Sequence, residues 1–198
     1  MARVRHTKNE LKAQREALRR FQRFLPTLEL KKQQLQMELR RIQSTIDGRE
    51  ARLDEATGRV GTWVRLFGED VGMGERLSAK GIRMGESNVA GVTVPVFLGL
   101  DIARAPCDLR ETPPWVDDGL EAIEGLLALR AELWVLREAR SRLEEELRTT
   151  SQRVNLFEKV KIPEARENIR VIRIFLGDEQ TAAVARAKLA KGRLLAPA

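Results

Sequence analysis

The 198-residue sequence contains one cysteine, one histidine and no tyrosine, and aromatic residues make up only 5% of it. A single cysteine, Cys107, cannot form an intrachain disulfide, and this favours a reducing compartment. No apolar run approaches the ~20 residues that a membrane-spanning helix needs. The basic N-terminus lacks the apolar stretch of a secretory signal. We therefore expect a protein that is soluble or held at a membrane through other proteins.

Residues that catalyse reactions or bind metals are equally sparse. Cys107 has no histidine or second cysteine nearby in the sequence, and His6 lies close to the N-terminus, so neither a zinc site nor a Cys–His pair can be assembled. The segment 72–77, GMGERL, lacks the third glycine of a dinucleotide-binding motif, and no Gly-Lys-Ser/Thr phosphate loop occurs. We predict no catalytic residues, no cofactor and no metal site.

Charged residues are abundant, at 33% of the chain, with a net charge of +7. Basic residues concentrate in residues 1–32 and after Glu179, whereas the stretch between is acidic overall. Clustered basic residues are the electrostatic footprint of nucleic-acid-binding proteins. No helix-turn-helix or basic-zipper pattern accompanies them here. Contact with an acidic protein surface is the favoured interpretation, and nucleic-acid binding is the alternative.

The N-terminal region has apolar residues spaced alternately by three and four, which is typical of a helix in a coiled coil. We predict one helix over roughly residues 8–66, capped by Thr7 or Asn9. Arg49 is a polar member of the series, which continues through Trp63 and Phe67. The seam residues predicted to face a partner helix are Leu11, Leu18, Phe21, Leu25, Leu28, Leu35, Leu39, Ile42, Ile46 and Leu53.

A second seam occupies the C-terminal region. The helix is expected to start near Pro113 and Pro114 and to run to about Lys191. Near Ile162 and Pro163 the register moves by about one residue. The predicted seam residues are Leu126, Leu129, Leu133, Leu136, Leu143, Leu147, Val154 and Phe157, followed by Ile169 and Ile172.

Glycine recurs between the two seams, and the run 88–97 predicts a short strand or hairpin. The predicted divisions are an N-terminal coiled-coil helix (1–67), a glycine-rich tip with a short β-hairpin (68–113), and a C-terminal coiled-coil helix with a basic tail (114–198). The predicted fold is all-α, a long antiparallel two-helix coiled coil with this small tip. The flanking helices are expected to supply the core without the tip.

Proline interrupts both predicted helices, at Pro26 and Pro163. A proline inside a helix removes a backbone donor and crowds the carbonyl four residues earlier. Counting back from the tip puts both prolines at nearly the same height. We predict a kink at each and a bend that the two helices share.

Three motifs carry a family resemblance. Residues 7–11, TKNEL, resemble a Thr-Lys-x-x-Leu opening, and residues 88–95, NVAGVTVP, resemble an Asn-x-x-Gly-Val-x-x-Pro signature. Residues 153–163, RVNLFEKVKIP, are close to Arg-Arg-Val-Asn-Ala-Leu-Glu-x-x-x-Ile-Pro. Together with two long helices around a glycine-rich insert, they resemble the D subunits of V-type and archaeal or bacterial A/V-type rotary ATPases. The γ subunit of F-type enzymes is less similar, because it carries a much larger middle domain.

The resemblance implies a central rotor shaft that couples ATP hydrolysis or synthesis to translocation of protons or sodium ions. It implies three partners, which are the F subunit, the catalytic A/B hexamer and the C (d) subunit of the stalk. The protein would be peripheral, on the cytoplasmic side of the membrane and attached only through the complex, with no direct contact to nucleic acid. We expect the basic ends to contact the hexamer, with Arg15, Arg19, Arg23, Arg186 and Lys188 as the candidate residues.

Overall fold

The computed structural model of the chain describes residues 5–62, 76–105 and 112–195. Its elements are α1 (Lys8–Gly61), β1 (Leu77–Val89), β2 (Val92–Arg104), α2 (Trp115–Leu156), a π turn (Phe157–Lys161) and α3 (Ile162–Leu195). The predicted class, a coiled coil of long helices with a small antiparallel β-hairpin, is confirmed. Trp63, Phe67, the glycines at 72 and 74, and Cys107 lie outside the described residues.

Thr7 begins α1. Its Oγ1 accepts a hydrogen bond from the backbone N–H of Glu10 at 3.2 Å. Its carbonyl oxygen accepts the N–H of Leu11 at 3.0 Å. Thr7 is therefore the N-cap, while Asn9 lies within the helix. Arginine, lysine, glutamate, glutamine and leucine dominate α1, and all of them favour helix.

The chain divides into two compact units. We call residues 33–148 the hairpin unit, and residues 1–32 with 149–198 the terminal unit. Each unit combines a part of α1 with a part of the C-terminal helical region.

The core of the hairpin unit draws on the two helices and the β-hairpin. Val94 of β2 is only 4% exposed and belongs to the same apolar cluster as the helical residues. Val89, Ala90 and Val92, around the hairpin turn, pack against that cluster. The expectation that the helices alone supply the core is therefore wrong. The buried helical members are Leu35, Ile42 and Ile46 of α1, with Leu133, Ala139 and Leu143 of α2.

A second stripe of α2 is also buried, away from the predicted seam. Ala131 and Val135 are 7% and 1% exposed, although neither is a seam position. Nearer the start of α2, Arg104 at the end of β2 forms an ion pair with Asp117 at 2.7 Å. The hairpin therefore touches α2 at its first turn as well as at the core, where Val94 and Ala139 belong to one cluster. Val116, Leu120 and Ala139 are the other buried members of this stripe.

The hairpin is longer than the predicted run 88–97. Its register runs from Val89 opposite Val92 to Leu77 opposite Arg104, with irregularities beside Gly81 and Met84. Ala90 and Gly91 form the two-residue turn, and both have positive φ, 50° and 81°. Such a turn matches the twist of the flanking strands. The side-chain Oδ1 of Asn88 accepts the N–H of Gly91 at 3.0 Å and steadies the turn.

In the terminal unit, α1 runs antiparallel to the C-terminal helical region. The rings of Phe21 and Phe157 lie 5.1 Å apart, and those of His6 and Phe175 lie 4.8 Å apart. From the first pair to the second, the residue number falls on the N-terminal side and rises on the C-terminal side, so the two segments run antiparallel. The buried residues of this unit are Thr150, Val154, Ile162, Ala165 and Ile172.

The two prolines do not lie at one level. From the contact between Phe21 and Phe157, Pro26 and Pro163 lie in opposite directions along the antiparallel pair. At 1.5 Å per residue the prolines are therefore about 16 Å apart along the axis, roughly three turns. The predicted shared height is wrong, because the count assumed equal helix lengths from the tip.

Candidate interaction surfaces

None of the predicted seam residues is exposed, and those between Leu35 and Leu53 and between Leu133 and Leu147 pack in one apolar cluster. The most deeply buried are Leu35, Ile42, Ile46, Leu133, Leu143, Val154 and Ile172, each at most 8% exposed. The half-buried members are Leu11, Leu18, Phe21, Leu25, Leu28, Leu39, Leu53, Leu126, Leu129, Leu136, Leu147, Phe157 and Ile169. Their burial fits a role in holding the helices together, although Leu126, Leu129 and Ile169 also line surface grooves.

Three arginines form an exposed row on α1. Arg15, Arg19 and Arg23 are spaced by four, so successive members are neighbours on the helix surface. None of them has an acidic partner among the described residues. Arg186 and Lys188 on α3 are likewise exposed and belong to the same compact unit. In the described part of the terminal unit, these five cations therefore have no ion pair with a carboxylate.

Neighbouring charges in the terminal unit are compensated locally. Lys12 lies 3.9 Å from Glu16, one turn along α1. Arg170 donates two hydrogen bonds to Glu167, at 2.8 and 2.6 Å. Those hydrogen bonds are the main reason that the pKa of Glu167 is lowered and that of Arg170 is raised. The unpaired arginine row is thus distinct from an ordinary salt-bridged helix face.

A mixed cationic and apolar surface lies on α3. Arg166, Ile169, Arg170, Arg173 and Ile174 line a shallow groove of about 440 Å³. Ile174 is 51% exposed. Arginines around exposed aliphatic side chains are typical of protein–protein contact surfaces.

The last turns of α3 have no packing partner among the described residues. His6, two residues before α1, contacts Phe175, and from Gly177 to Arg193 every α3 residue is exposed. Val184 and Leu189 are 55% and 67% exposed. Because most helical stability in proteins comes from tertiary packing, this segment is suited to binding another protein.

A groove in the hairpin unit lies between the end of α1 and the start of α2. It measures about 580 Å³, with Ala56, Val60, Ala122, Leu126 and Leu129 among its lining residues. The polar side chains at this groove are Arg59, Asp118 and Glu121. The described residues contain no group of three or more His, Cys, Asp or Glu side chains placed to hold a metal ion. Within the described ranges, no helix is long and apolar enough to cross a membrane.

Two ion pairs join α1 to α2 in the hairpin unit, and the sequence pattern alone did not single them out. Arg49 lies 2.9 Å from Glu132, and Glu50 lies 2.7 Å from Arg137. Charged residues at or beside seam positions are the signal that could have found them, since these positions face the partner helix.

Comparison with known proteins covers nearly the whole chain. Residues 10–192 match the family of ATP synthase D subunits. The chain is 41% identical over 195 residues to the D subunit of the V-type ATP synthase of Borreliella burgdorferi, covering 98% of this chain and 96% of that protein. It is 34% identical over 197 residues to the D subunit of the V-type ATP synthase of Chlamydia pneumoniae, covering 96% and 93%.

Proposed function

The chain belongs to the family of ATP synthase D subunits, and from this premise we propose that it is the central stalk, or rotor shaft, of a V-type rotary ATPase. The observation that carries the proposal is 41% identity to the D subunit of a V-type ATP synthase over nearly the full length of both chains. Such coverage makes the likeness one of whole proteins. The relatives give no support to the alternative, a basic coiled-coil adaptor or nucleic-acid-binding protein.

The shaft couples the A/B hexamer, where ATP is hydrolysed or made, to proton or sodium-ion movement through the membrane ring. A shaft must transmit torque, and a single helix is too poorly supported for this. The seam joins α1 to the C-terminal helical region in both units. The hairpin adds a third layer to one of them, and this makes the cross-section asymmetric.

The shaft performs no chemistry of its own. Its role is to present different faces to three catalytic interfaces as it turns. Nucleotide binding and hydrolysis belong to the A/B hexamer.

The partners are the A/B hexamer, the F subunit and the C (d) subunit of the stalk. The terminal unit enters the hexamer, and its uncompensated cations Arg15, Arg19, Arg23, Arg186 and Lys188 contact acidic groups there. The protein is peripheral, on the cytoplasmic side of the membrane and attached only through the complex. Opposite charges across an interface speed association and fix orientation more than they add affinity.

Reconstitution tests the proposal. The full-length chain should assemble stoichiometrically with the F subunit and the A/B hexamer and should change the hexamer's rate of ATP hydrolysis. The purified chain alone should hydrolyse no ATP. Turnover by the chain alone, after contaminating ATPases are excluded, would contradict the assignment, and so would failure to bind the hexamer.

A further inference from the structure

The apolar seam alone does not fix how far α1 and α2 slide along each other. Both helices repeat apolar residues every seven positions. A slip of one heptad, about 10 Å along the axis, sets apolar residues against apolar residues again. The residues that repeat in this way in the hairpin unit are Leu35, Leu39, Ile42, Ile46 and Leu53 on α1, and Leu129, Leu133, Leu136, Leu143 and Leu147 on α2, with Arg140 at the position between Leu133 and Leu147.

Arg49 breaks this degeneracy. It occupies a seam position between Ile46 and Leu53, and its Nε lies 2.9 Å from a carboxylate oxygen of Glu132 on α2. The two side chains are 31% and 22% exposed, so the pair is partly shielded from water. A polar residue at a seam position specifies register at a cost in stability.

A second pair supports the first. Arg137 donates a hydrogen bond to Glu50 at 2.7 Å, although these side chains are more exposed, at 60% and 43%. An ion pair within one helix, such as that of Arg142 with Glu138, is by contrast indifferent to sliding.

We propose that the Arg49–Glu132 pair, assisted by Glu50 and Arg137, is a register lock that prevents α1 from slipping along α2. These are positioning residues and contact no substrate. That the lock resists torque rests on the proposed function. That it sets the register of the folded chain does not.

A slip of seven residues in either direction separates Arg49 from Glu132, so the pair favours the observed register over both slipped registers. In one direction Arg49 faces Ala139, which is only 3% exposed, and Glu50 faces Glu144. A cation then lies without a partner beside a buried surface, and two carboxylates repel each other. In the other direction Arg49 faces Gly125 in place of Glu132, while Glu50 faces Arg130, so only the more exposed assisting pair can form again. Both slips lose the partly buried pair, which is how a sequence disfavours an alternative structure.

Distances between spin labels test the lock in the full-length chain. Labels on Arg52→Cys and Glu145→Cys, in a Cys107→Ser background, occupy exposed sites. They lie at different heights, so a slip changes their separation by up to about 10 Å. The parent should give one distance. Arg49→Glu should add a displaced second population, at least about tenfold larger than in the parent because an attraction becomes a repulsion.

Two further variants separate register from stability. Exchanging the charges, with Arg49→Glu and Glu132→Arg together, should restore the single distance. Arg49→Met keeps the chain folded by filling the seam with an apolar side chain. It should retain helix content in circular dichroism and still show the slipped population. A merely stabilising pair predicts loss of melting temperature in Arg49→Met without any new distance.

Arg142→Glu is the matched control, because its partner Glu138 is on the same helix. It should leave the distance distribution unchanged. A single native distance in both Arg49→Glu and Arg49→Met, with helix content preserved, would overturn the proposal and assign the register to the seam and the hairpin. In an assembled complex, Arg49→Met should also lower the number of ions moved per ATP, and only this last measurement depends on the proposed function.

Discussion

The backbone N–H of Ile162 donates a hydrogen bond to the carbonyl oxygen of Phe157, five residues earlier. An α-helix would bond it to the residue four before, so this contact closes a π turn. Pro163 follows at once, and its ring would crowd the carbonyl of Lys159 in a regular α-helix. The wider turn relieves that crowding.

The π turn also keeps the seam in phase. Thr150 and Val154 are buried before it, and Ile162, Ala165 and Ile172 are buried after it. A π turn adds one residue to a helix. This extra residue accounts for the shift of about one position that the sequence pattern shows near Pro163.

Deleting a residue from the π turn tests this account. Removing exposed Lys159, together with Pro163→Ala, should convert the turn to regular α-helix and leave the buried face intact. The proline must be replaced because it would otherwise clash inside the new α-helix. We expect the deleted chain to keep helix content and to melt within a few degrees of the parent, as followed by circular dichroism.

Deleting Arg166 instead is the control. It is equally exposed but lies in regular α-helix, so its loss rotates Ile169 and Ile172 by about 100° away from the seam. The melting temperature should fall markedly. Equal effects of the two deletions would show that the π turn is not an inserted residue.

Substitutions at the seam should cost far more stability than substitutions on the surface. Leu143 is fully buried, and Leu143→Asp places a charge there without a partner, at a cost of several kcal/mol. Leu39→Asp should act in the same direction. Arg41→Ala removes the ion pair of exposed Arg41 with half-buried Glu38, and should cost about 1 kcal/mol or less. Urea titrations of the three variants compare these costs, and equal losses would contradict the seam assignment.

The hairpin should contribute to the stability of the helices. Val94→Asp buries a carboxylate in the apolar cluster that contains Leu35 and Leu143, and should lower the free energy of unfolding by several kcal/mol. Thr93→Asp introduces the same residue at the adjacent exposed position and is the control for strand propensity. If Val94→Asp leaves the melting of the helices unchanged, the helices alone form the core.

Heptad spacing was enough to predict the helices, because a narrow apolar stripe at this spacing is typical of a helix that packs against another helix. The cap at Thr7 and the start of α2 just after Pro113 and Pro114 follow from local chemistry that the sequence displays directly.

The packing of the hairpin could not be predicted in the same way. Val94 alternates with exposed neighbours in the strand, and alternation identifies a buried face without naming what covers it. The predicted strand was also too short, because β1 contains Gly81 and Gly85 and glycine usually marks a turn. The prediction that the two prolines lie at one level failed for a related reason. The lengths of chain that join each helix to the tip differ, and this difference is a property of the tertiary structure.

Pro26 lies within the continuous helix α1, and we propose that it and Pro163 each kink their helix independently. Pro26→Ala restores a backbone donor for the carbonyl of Gln22 and removes a steric clash. It should raise the free energy of unfolding by up to about 3 kcal/mol. Urea titration measures the gain. A stability unchanged by Pro26→Ala would mean that the helix already accommodates the ring without strain.

The arginine row on α1 should act as an electrostatic contact with the hexamer. Replacing Arg15, Arg19 and Arg23 by glutamine should weaken assembly with the A/B hexamer and flatten its dependence on salt. The reason is that exposed charges attract over about 10 Å at 0.1 M salt and are screened beyond it. Helix content should not change, because all three side chains are exposed and without an acidic partner among the described residues.

The control for the arginine row neutralises three exposed cations of the hairpin unit, Arg40, Arg52 and Lys80. It removes the same net charge, so it separates a local contact from the general attraction of a basic protein. Assembly measured between about 50 and 200 mM salt should weaken more for the arginine row than for the control. If both triple variants lose the same affinity and the same salt dependence, the row acts only through net charge. If neither changes, the row is a solubilising face, and contact with the hexamer must rest on the exposed end of α3, where Arg186 and Lys188 lie.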